Sequence, residues 1–209
     1  MSGRSKLWII SALLYGAFVF WYTDFGGPLS DAEIEEWKQT MTTNGTMPER
    51  VEYFEDFFRN DSGRQFLMVN AIDMNENPPD VEGAEPGETA TQLMDRYLEH
   101  MLREQFIRAS HPVILGSAVY PALDLLRIEE GRDWDAGAIF RYKSRRAFMQ
   151  IIANPATLER HDFKLAALEK TIAYPIETSI YLGDLRLLLG LALLAIVALL
   201  DSLVFARRN

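Results

Sequence analysis

The sequence contains no cysteine and only three histidines among its 209 residues. The absence of cysteine excludes disulfide bonds, thiolate metal sites, cysteine-ligated iron–sulfur clusters and thiol nucleophiles. His100, His111 and His161 are too widely separated to form a metal-binding motif, so we predict no metal site and no cofactor. The chain also lacks a glycine-rich phosphate loop and a Gly-x-Ser-x-Gly nucleophile motif. No local motif therefore indicates a particular activity.

Basic residues are fewer than acidic residues, 21 against 30, which gives a net charge of −9. Four of the basic residues lie at the two ends of the chain: Arg4, Lys6, Arg207 and Arg208. The region between the ends is consequently more acidic than the chain as a whole. Because nucleic acids and anionic lipid surfaces repel an acidic protein, we expect no nucleic-acid partner for this region.

Two long apolar stretches predict transmembrane helices over residues 7–23 and 185–206. Each has a length close to the ~17 to 25 residues that a helix needs to cross a lipid bilayer. A cleaved signal peptide is the alternative for the first stretch. Bulky residues such as Phe18 and Trp21 disfavour it, because they stand where a cleavage site needs small side chains.

The basic residues at both ends predict the orientation of the chain, since Lys and Arg are retained on the cytoplasmic side of a membrane. We therefore expect residues 1–6 and 207–209 to be cytoplasmic. The region between the helices is then periplasmic, and the chain crosses a bacterial inner membrane twice. Arg186, at the outer end of the second helix, runs against this trend, and we expect it to reach the lipid headgroups beside Asp184.

Residues 24–63 are predicted to form two neck helices between the membrane and a domain at 64–180. Ser30 and Glu33 have capping-box spacing before the first of these helices. In the second, Pro48–Arg59, aromatic side chains recur at helical spacing and should dock on an apolar surface.

The domain at 64–180 is predicted to be α+β. Its elements are a strand at Phe66–Ile72, a helix at Thr89–Arg108, a strand at Val113–Tyr120 that Leu123–Ile128 extends, a strand at Asp135–Tyr142, helices from Ser144 to Ile152 and from Pro155 to Lys170, and an extended segment at Thr171–Tyr181. This βαββαβ order is ferredoxin-like, with an antiparallel sheet and both helices on one face. The first strand is apolar on both faces, so we predict a homo-oligomer that pairs through the open face of the sheet.

Several segments of this domain carry a family resemblance. They are Asp133–Asp135, Arg141–Arg146, Pro155, His161 and Lys164–Pro175. Together they resemble a family of uncharacterised small proteins in the dimeric α/β-barrel superfamily, over residues 64–178. The resemblance implies two ferredoxin-like units paired through their sheets. Because the superfamily includes cofactor-free monooxygenases, isomerases and haem enzymes, the resemblance implies no single activity.

Four residues are candidates for a ligand pocket: Asn70, Arg141, Tyr142 and His161. A buried Arg141 would need a compensating group, so we first interpret it as part of a structural ion pair, with Asp133 and Asp135 nearby in the sequence. The alternative is an anion pocket in which Arg141, Tyr142 and Asn70 bind a small carboxylate-bearing ligand. His161 lies on an apolar helical stripe. Three interpretations remain open for it: a structural histidine, a pocket residue, or a metal or haem ligand.

The second apolar helix has its own candidates. Ala198, Ser202 and Ala206 recur every four residues and predict a face on which another helix packs closely. Asp201 lies among apolar residues, where a carboxylate is costly. It could reach the headgroups or pair with Arg208, contact a partner subunit, or handle protons.

These features favour a non-catalytic accessory or assembly subunit of an inner-membrane complex, with other integral membrane subunits as partners. The reason is that the specialised segments are the anchors, the neck and the sheet rather than a reactive cluster. The alternative is a membrane-tethered enzyme or small-molecule-binding protein that uses the pocket of the superfamily. A transport or signalling module is a third interpretation.

Overall fold

The structure, a computed structural model, describes residues 1–205. The helices are α1 (Gly3–Tyr22), α2 (Asp31–Thr43), α3 (Pro48–Arg59), α4 (Ala90–Ile107), α5 (Arg145–Ile152), α6 (Pro155–Glu159), α7 (His161–Ala167) and α8 (Leu185–Val204). The strands are β1 (Phe66–Met74), β2 (His111–Ser117), β3 (Ala136–Tyr142) and β4 (Leu168–Ile176). The chain divides into two compact units. One is formed by residues 1–24 and 178–205, and the other is Phe25–Glu177.

The first unit is an antiparallel pair of apolar helices, α1 and α8. Tyr15 of α1 donates a hydrogen bond from its hydroxyl to the carbonyl of Arg186 at 2.8 Å. A Cβ atom on Gly190 would lie 3.0 Å from the same hydroxyl oxygen, so the glycine allows the two helices to approach closely here. Both helices are long and apolar enough to cross a bilayer, judged by length and composition alone.

An ion pair joins the two helices at the end where the chain begins. The guanidinium of Arg4 donates to Oδ2 of Asp201 at 2.7 and 3.1 Å. Arg208, our predicted partner for Asp201, lies outside the described residues, as does Ala206. Asp201 is therefore compensated from the other helix of its own unit.

The face of small residues predicted on α8 is not the face that is buried. Val197 and Asp201 are the buried residues of α8, whereas Ala198 and Ser202 are exposed. The contact between the two helices thus relies on the side that carries Asp201. Whether the exposed small residues pack against another helix stays a prediction.

The second unit contains a four-stranded sheet in the order β2-β3-β1-β4, with all neighbouring strands antiparallel. In the central pair, Phe66 lies opposite Tyr142 and Ile72 lies opposite Ala136. The sheet and the order of its strands and helices confirm the predicted α+β arrangement.

The register divides the sheet into two faces, because side chains alternate along a strand and directly paired residues share a face. The inner face carries Phe66, Met68, Asn70, Ile72, Ala136, Ala138, Phe140, Tyr142, Thr171, Ala173 and Pro175. The outer face carries Leu67, Val69, Ala71, Ile114, Ile139, Arg141, Ile172 and Tyr174. On the outer face, Ile114, Ile172 and Tyr174 are 57, 45 and 51% exposed.

An aromatic cluster at one end of the inner face forms the core of this unit. Phe148 of α5 lies at its centre, with ring centroids 4.9 Å from Tyr142, 5.7 Å from Phe66 and 6.4 Å from Phe58. Phe58 of α3 in turn contacts Trp37 of α2 at 4.9 Å. The two predicted neck helices therefore share the core of the unit that contains the sheet.

Polar contacts fix α2 against the same unit. The predicted capping box is present, since Ser30 accepts from the amide of Glu33 and Glu33 accepts from the amide of Ser30. Glu33 also accepts from Nε of Arg146 at 2.6 Å. The hydrogen bond from Arg146, with that from the Ser30 amide, lowers the pKa of Glu33 to about 2.

Two sequence predictions are corrected by the structure. The helix predicted from Pro155 to Lys170 is interrupted at Arg160 and ends at Ala167, because Leu168 begins β4 and pairs with Met74 of β1. The segment Leu123–Ile128 does not extend β2, which ends at Ser117. At Leu168 pairing with β1 overrides the local helical pattern, whereas the β2–β3 pairing ends at Ser117 opposite Ala136.

Candidate functional site

A cavity of about 1160 Å³ lies between the inner face of the sheet and helices α3 to α7. The sheet side of the cavity is lined by small side chains such as Ala136, Ala138 and Ala173. The helix side is lined by larger apolar side chains, including Tyr97 and Met101. Because the strand side chains are small, an empty volume remains between the sheet and the helices. Its volume exceeds the ~300 to 1,000 Å³ of ordinary ligand pockets.

Two of the predicted pocket residues, Asn70 and Tyr142, line this cavity from the sheet. The amide nitrogen of Asn70 donates to the carbonyls of Met68 at 3.0 Å and Ala138 at 3.3 Å, so the backbone holds it in place. The hydroxyl of Tyr142 accepts from Nε2 of Gln105 at 2.9 Å. Burial raises the pKa of Tyr142 to about 12, and the phenol therefore stays protonated at neutral pH.

Arg141 does not line the cavity with Asn70 and Tyr142. It lies on the outer face of the sheet, opposite Leu67 of β1. Its fully buried guanidinium donates to Oε1 of Gln65 at 2.8 Å and to the carbonyl of Ala109 at 2.6 Å. The predicted anion pocket of Arg141 with Asn70 and Tyr142 is therefore wrong.

The aspartates that precede β3 are also too far from Arg141 to compensate its charge. Asp135 is six residues away along the extended chain, a distance of about 20 Å at the usual rise per residue. Its carboxylate instead accepts from the amide of Met74 at 2.7 Å. Neutral oxygens of Gln65 and Ala109 thus hold the guanidinium where we predicted these carboxylates.

His161 lies at the wall of the cavity and contacts a residue that sequence reasoning missed. Its Nε2 is 3.1 Å from Nη1 of Arg50 in α3. Because a guanidinium can only donate, Nε2 must be the acceptor and the ring proton is on Nδ1. Burial, with the nearby charges of Arg50 and Lys164, lowers the pKa of His161 to about 4, while Asp162 acts in the opposite direction. The imidazole is therefore neutral at pH 7.

Acid is expected to destabilise this unit through His161. The unfolded chain binds a proton near pH 6.5 and the folded ring only near pH 4, so the unfolded state holds more protons between these values. The free energy of unfolding should therefore fall as the pH is lowered from about 6.5 to 4, by on the order of 2 kcal/mol for a partly exposed ring. Denaturation of the full chain across this range would measure the fall, and His161→Gln should make it shallower. Parallel pH profiles for the two proteins would contradict the prediction.

Lys164 of α7 also lines the cavity near Arg50, and we call the group of Arg50, His161 and Lys164 the basic end. The ammonium of Lys164 lies 5.7 Å from the ring centroid of Tyr97, and burial lowers its pKa. Thr157 is 5% exposed, and its hydroxyl has no hydrogen-bond partner among the described residues. Within residues 1–205, no three His, Asp or Glu side chains converge as metal ligands.

Comparison with known proteins identifies the fold but no family. No model of a protein family matches the sequence, and no curated protein matches it significantly. RPA0582 from Rhodopseudomonas palustris, a protein of unknown function, is similar with a TM-score of 0.51 at 22% identity, over 62% of this chain and 94% of its own. The methylated form of RPA0582 gives a TM-score of 0.52 at 22% identity, over 64% of this chain and 93% of its own. These likenesses support the α+β fold with its four-stranded antiparallel sheet.

SnoaB from Streptomyces nogalater, a cofactor-independent oxygenase, shows a weaker likeness. Its TM-score is 0.35 at 14% identity, over 57% of this chain and 98% of its own. This value is too low to carry an argument about activity.

Proposed function

We propose that this protein is a membrane-anchored small-molecule-binding protein that takes an apolar ligand into the cavity of Phe25–Glu177. The observation that carries the proposal is the cavity itself, about 1160 Å³ between apolar helices and small strand residues. Pockets for small molecules are concave and mostly apolar, with a few polar groups that fix the orientation of the ligand. Here the polar groups are Asn70, Tyr142 and the basic end.

The anchoring part of the proposal is supported by α1 and α8. Both helices have the length and composition of a membrane span, and their antiparallel pairing brings the two ends of the chain to the same side. With the basic residues at both ends, we infer two cytoplasmic termini and a periplasmic Phe25–Glu177 unit. Reporter fusions at each terminus that require a cytoplasmic location should both be active, and an inactive reporter at either end would refute this topology.

Photoaffinity labelling of the full chain in lipid nanodiscs tests the binding proposal. A short alkanol that carries a diazirine is expected to label cavity peptides around Asn70, Tyr97 and His161. Ala173→Trp should reduce this labelling at least fivefold, because the indole projects from the inner face into the cavity. Ile172→Trp is the matched control, since the neighbouring residue projects from the outer face.

Peptides from α1 and α8 provide an internal reference, because probe dissolved in the bilayer should label them equally in all variants. Cavity labelling that is absent in the wild type, or equal in the two tryptophan variants, would refute the proposal.

A second candidate function is assembly through the outer face, as an accessory subunit of a larger complex. The specific observation is that Ile114, Ile172 and Tyr174 form an exposed apolar surface on the sheet. A surface of this kind is typical of protein contacts rather than of a solvated sheet. Native mass spectrometry after gentle detergent extraction would test it, and a chain released alone in both wild type and Ile172→Asp would count against assembly through this face.

A further inference from the structure

We propose that the ligand is an amphiphile with a single carboxylate head, which binds at the basic end while its apolar tail occupies the rest of the cavity. This inference rests on the proposed function, since it assigns a ligand class to the same cavity.

The cations of the basic end have no anion of their own. No carboxylate oxygen of residues 1–205 lies within 4 Å of Arg50 or Lys164, whose recorded contacts are His161 and aromatic rings. Arg50 is exposed to solvent and Lys164 is half-buried, and the two cations are close enough for the charge of Arg50 to lower the pKa of Lys164. A bound carboxylate would supply the missing charge.

The other end of the cavity differs in this respect. Arg145 also lines the cavity, but it pairs with Glu177 at 3.2 Å and lies 3.6 Å from Asp61. Its charge is thus compensated within the protein. An anionic ligand is therefore expected to place its head at Arg50 and Lys164 rather than at Arg145.

The lining of the cavity also contains a hydrogen-bonding group without a partner among the described residues. The hydroxyl of Thr157 is buried, lines the cavity and has no partner among the described residues. Thr157 lies four residues before His161 in the sequence and can donate one hydrogen bond. A carboxylate has two acceptor oxygens with about four acceptor positions, so a head group that accepts from Arg50 keeps positions for a further donor. A buried hydroxyl without a partner is destabilising, and an acceptor on the ligand would satisfy it.

The charge count favours a head with one negative charge. Arg50 and Lys164 contribute two positive charges, His161 is neutral, and the exposed carboxylate of Asp162 lines the same region. The net charge of about +1 is balanced by one carboxylate. The remaining lining is apolar and continues along the sheet, which suits a hydrocarbon or aromatic tail.

The test compares three diazirine probes with the same tail and different heads: a carboxylate, an alcohol and a primary amine. Each is titrated against the full chain in nanodiscs of uncharged lipid, and labelling of the cavity peptides is quantified. The carboxylate should half-saturate at a concentration at least tenfold lower than the alcohol. Arg50→Met and Lys164→Met should each reduce this preference, whereas Arg103→Met, at an exposed position on α4, should leave it unchanged.

A charge reversal makes the test independent of loss of folding. Arg50→Glu should weaken labelling by the carboxylate and strengthen labelling by the amine, a gain that a misfolded protein cannot produce. If the carboxylate and the alcohol label the cavity equally in the wild type, the head-group assignment is refuted while the cavity proposal stands. If no probe labels the cavity, the proposed function itself is refuted.

Discussion

Replacing Phe148 with alanine is expected to lower the free energy of unfolding of Phe25–Glu177 by about 3 to 5 kcal/mol, as deletion of a buried aromatic ring usually does. Phe148 is 7% exposed. Its ring contacts five others, from α3, β1 and β3, and therefore joins the helices before the sheet to the sheet itself. The five are Phe54, Phe57, Phe58, Phe66 and Tyr142. A loss of this size would remove much of the stability of an ordinary domain.

The measurement is chemical denaturation of the full chain in nanodiscs, followed by tryptophan fluorescence, since Trp37 lies in the same cluster. Tyr53→Ala is the matched control, because it deletes a ring that is 77% exposed on α3. It should cost less than about 1 kcal/mol. Equal losses for the two variants would mean that the aromatic cluster is not the core that joins α3 to the sheet.

Replacing Arg141 with methionine is expected to cost about 2 to 4 kcal/mol. The substitution keeps an unbranched apolar stem but leaves the side-chain oxygen of Gln65 and the carbonyl of Ala109 without this donor. Each unsatisfied buried acceptor costs ~1 to 3 kcal/mol. Because Arg141 lies on the outer face, labelling of the cavity by the carboxylate probe should not change.

Arg103→Met serves again as the control, since it removes an exposed arginine and should change stability by less than about 0.5 kcal/mol. The same denaturation experiment measures both variants. A normal stability for Arg141→Met together with loss of carboxylate binding would reverse our assignment, by making Arg141 a ligand-binding residue instead of a structural one.

The strands and the long helix were predictable because their periodicity agrees with their environment. β1 carries apolar residues on both faces, and Thr89 with Gln92 forms a capping box at the start of α4. The end of α7 was not predictable in this way. Residues 164–170 combine leucine, alanine, lysine and glutamate, which favour a helix, yet Leu168–Lys170 pair with β1 instead. A local pattern cannot anticipate the partner strand that overrides it.

The candidate site was predictable only in part. We selected Asn70, Tyr142 and His161 as pocket residues, and all three line one cavity. The proposed grouping of Arg141 with Tyr142 conflicted with strand geometry, because adjacent residues of a strand point to opposite faces. Arg50 could not be found from the sequence, since 111 positions separate it from His161 and no motif connects them.

The pairing of α1 with α8 also constrains how the protein is made. Arg4 and Asp201 are separated by 197 positions, so α8 completes a contact whose other partner was synthesised much earlier. At ordinary synthesis rates of ~5 to 20 residues per second, α1 exists for roughly 10 to 35 s before its partner is synthesised. During that interval the whole of Phe25–Glu177 has already emerged and can begin to fold. Closure of the helical pair therefore has to follow the synthesis of that whole unit.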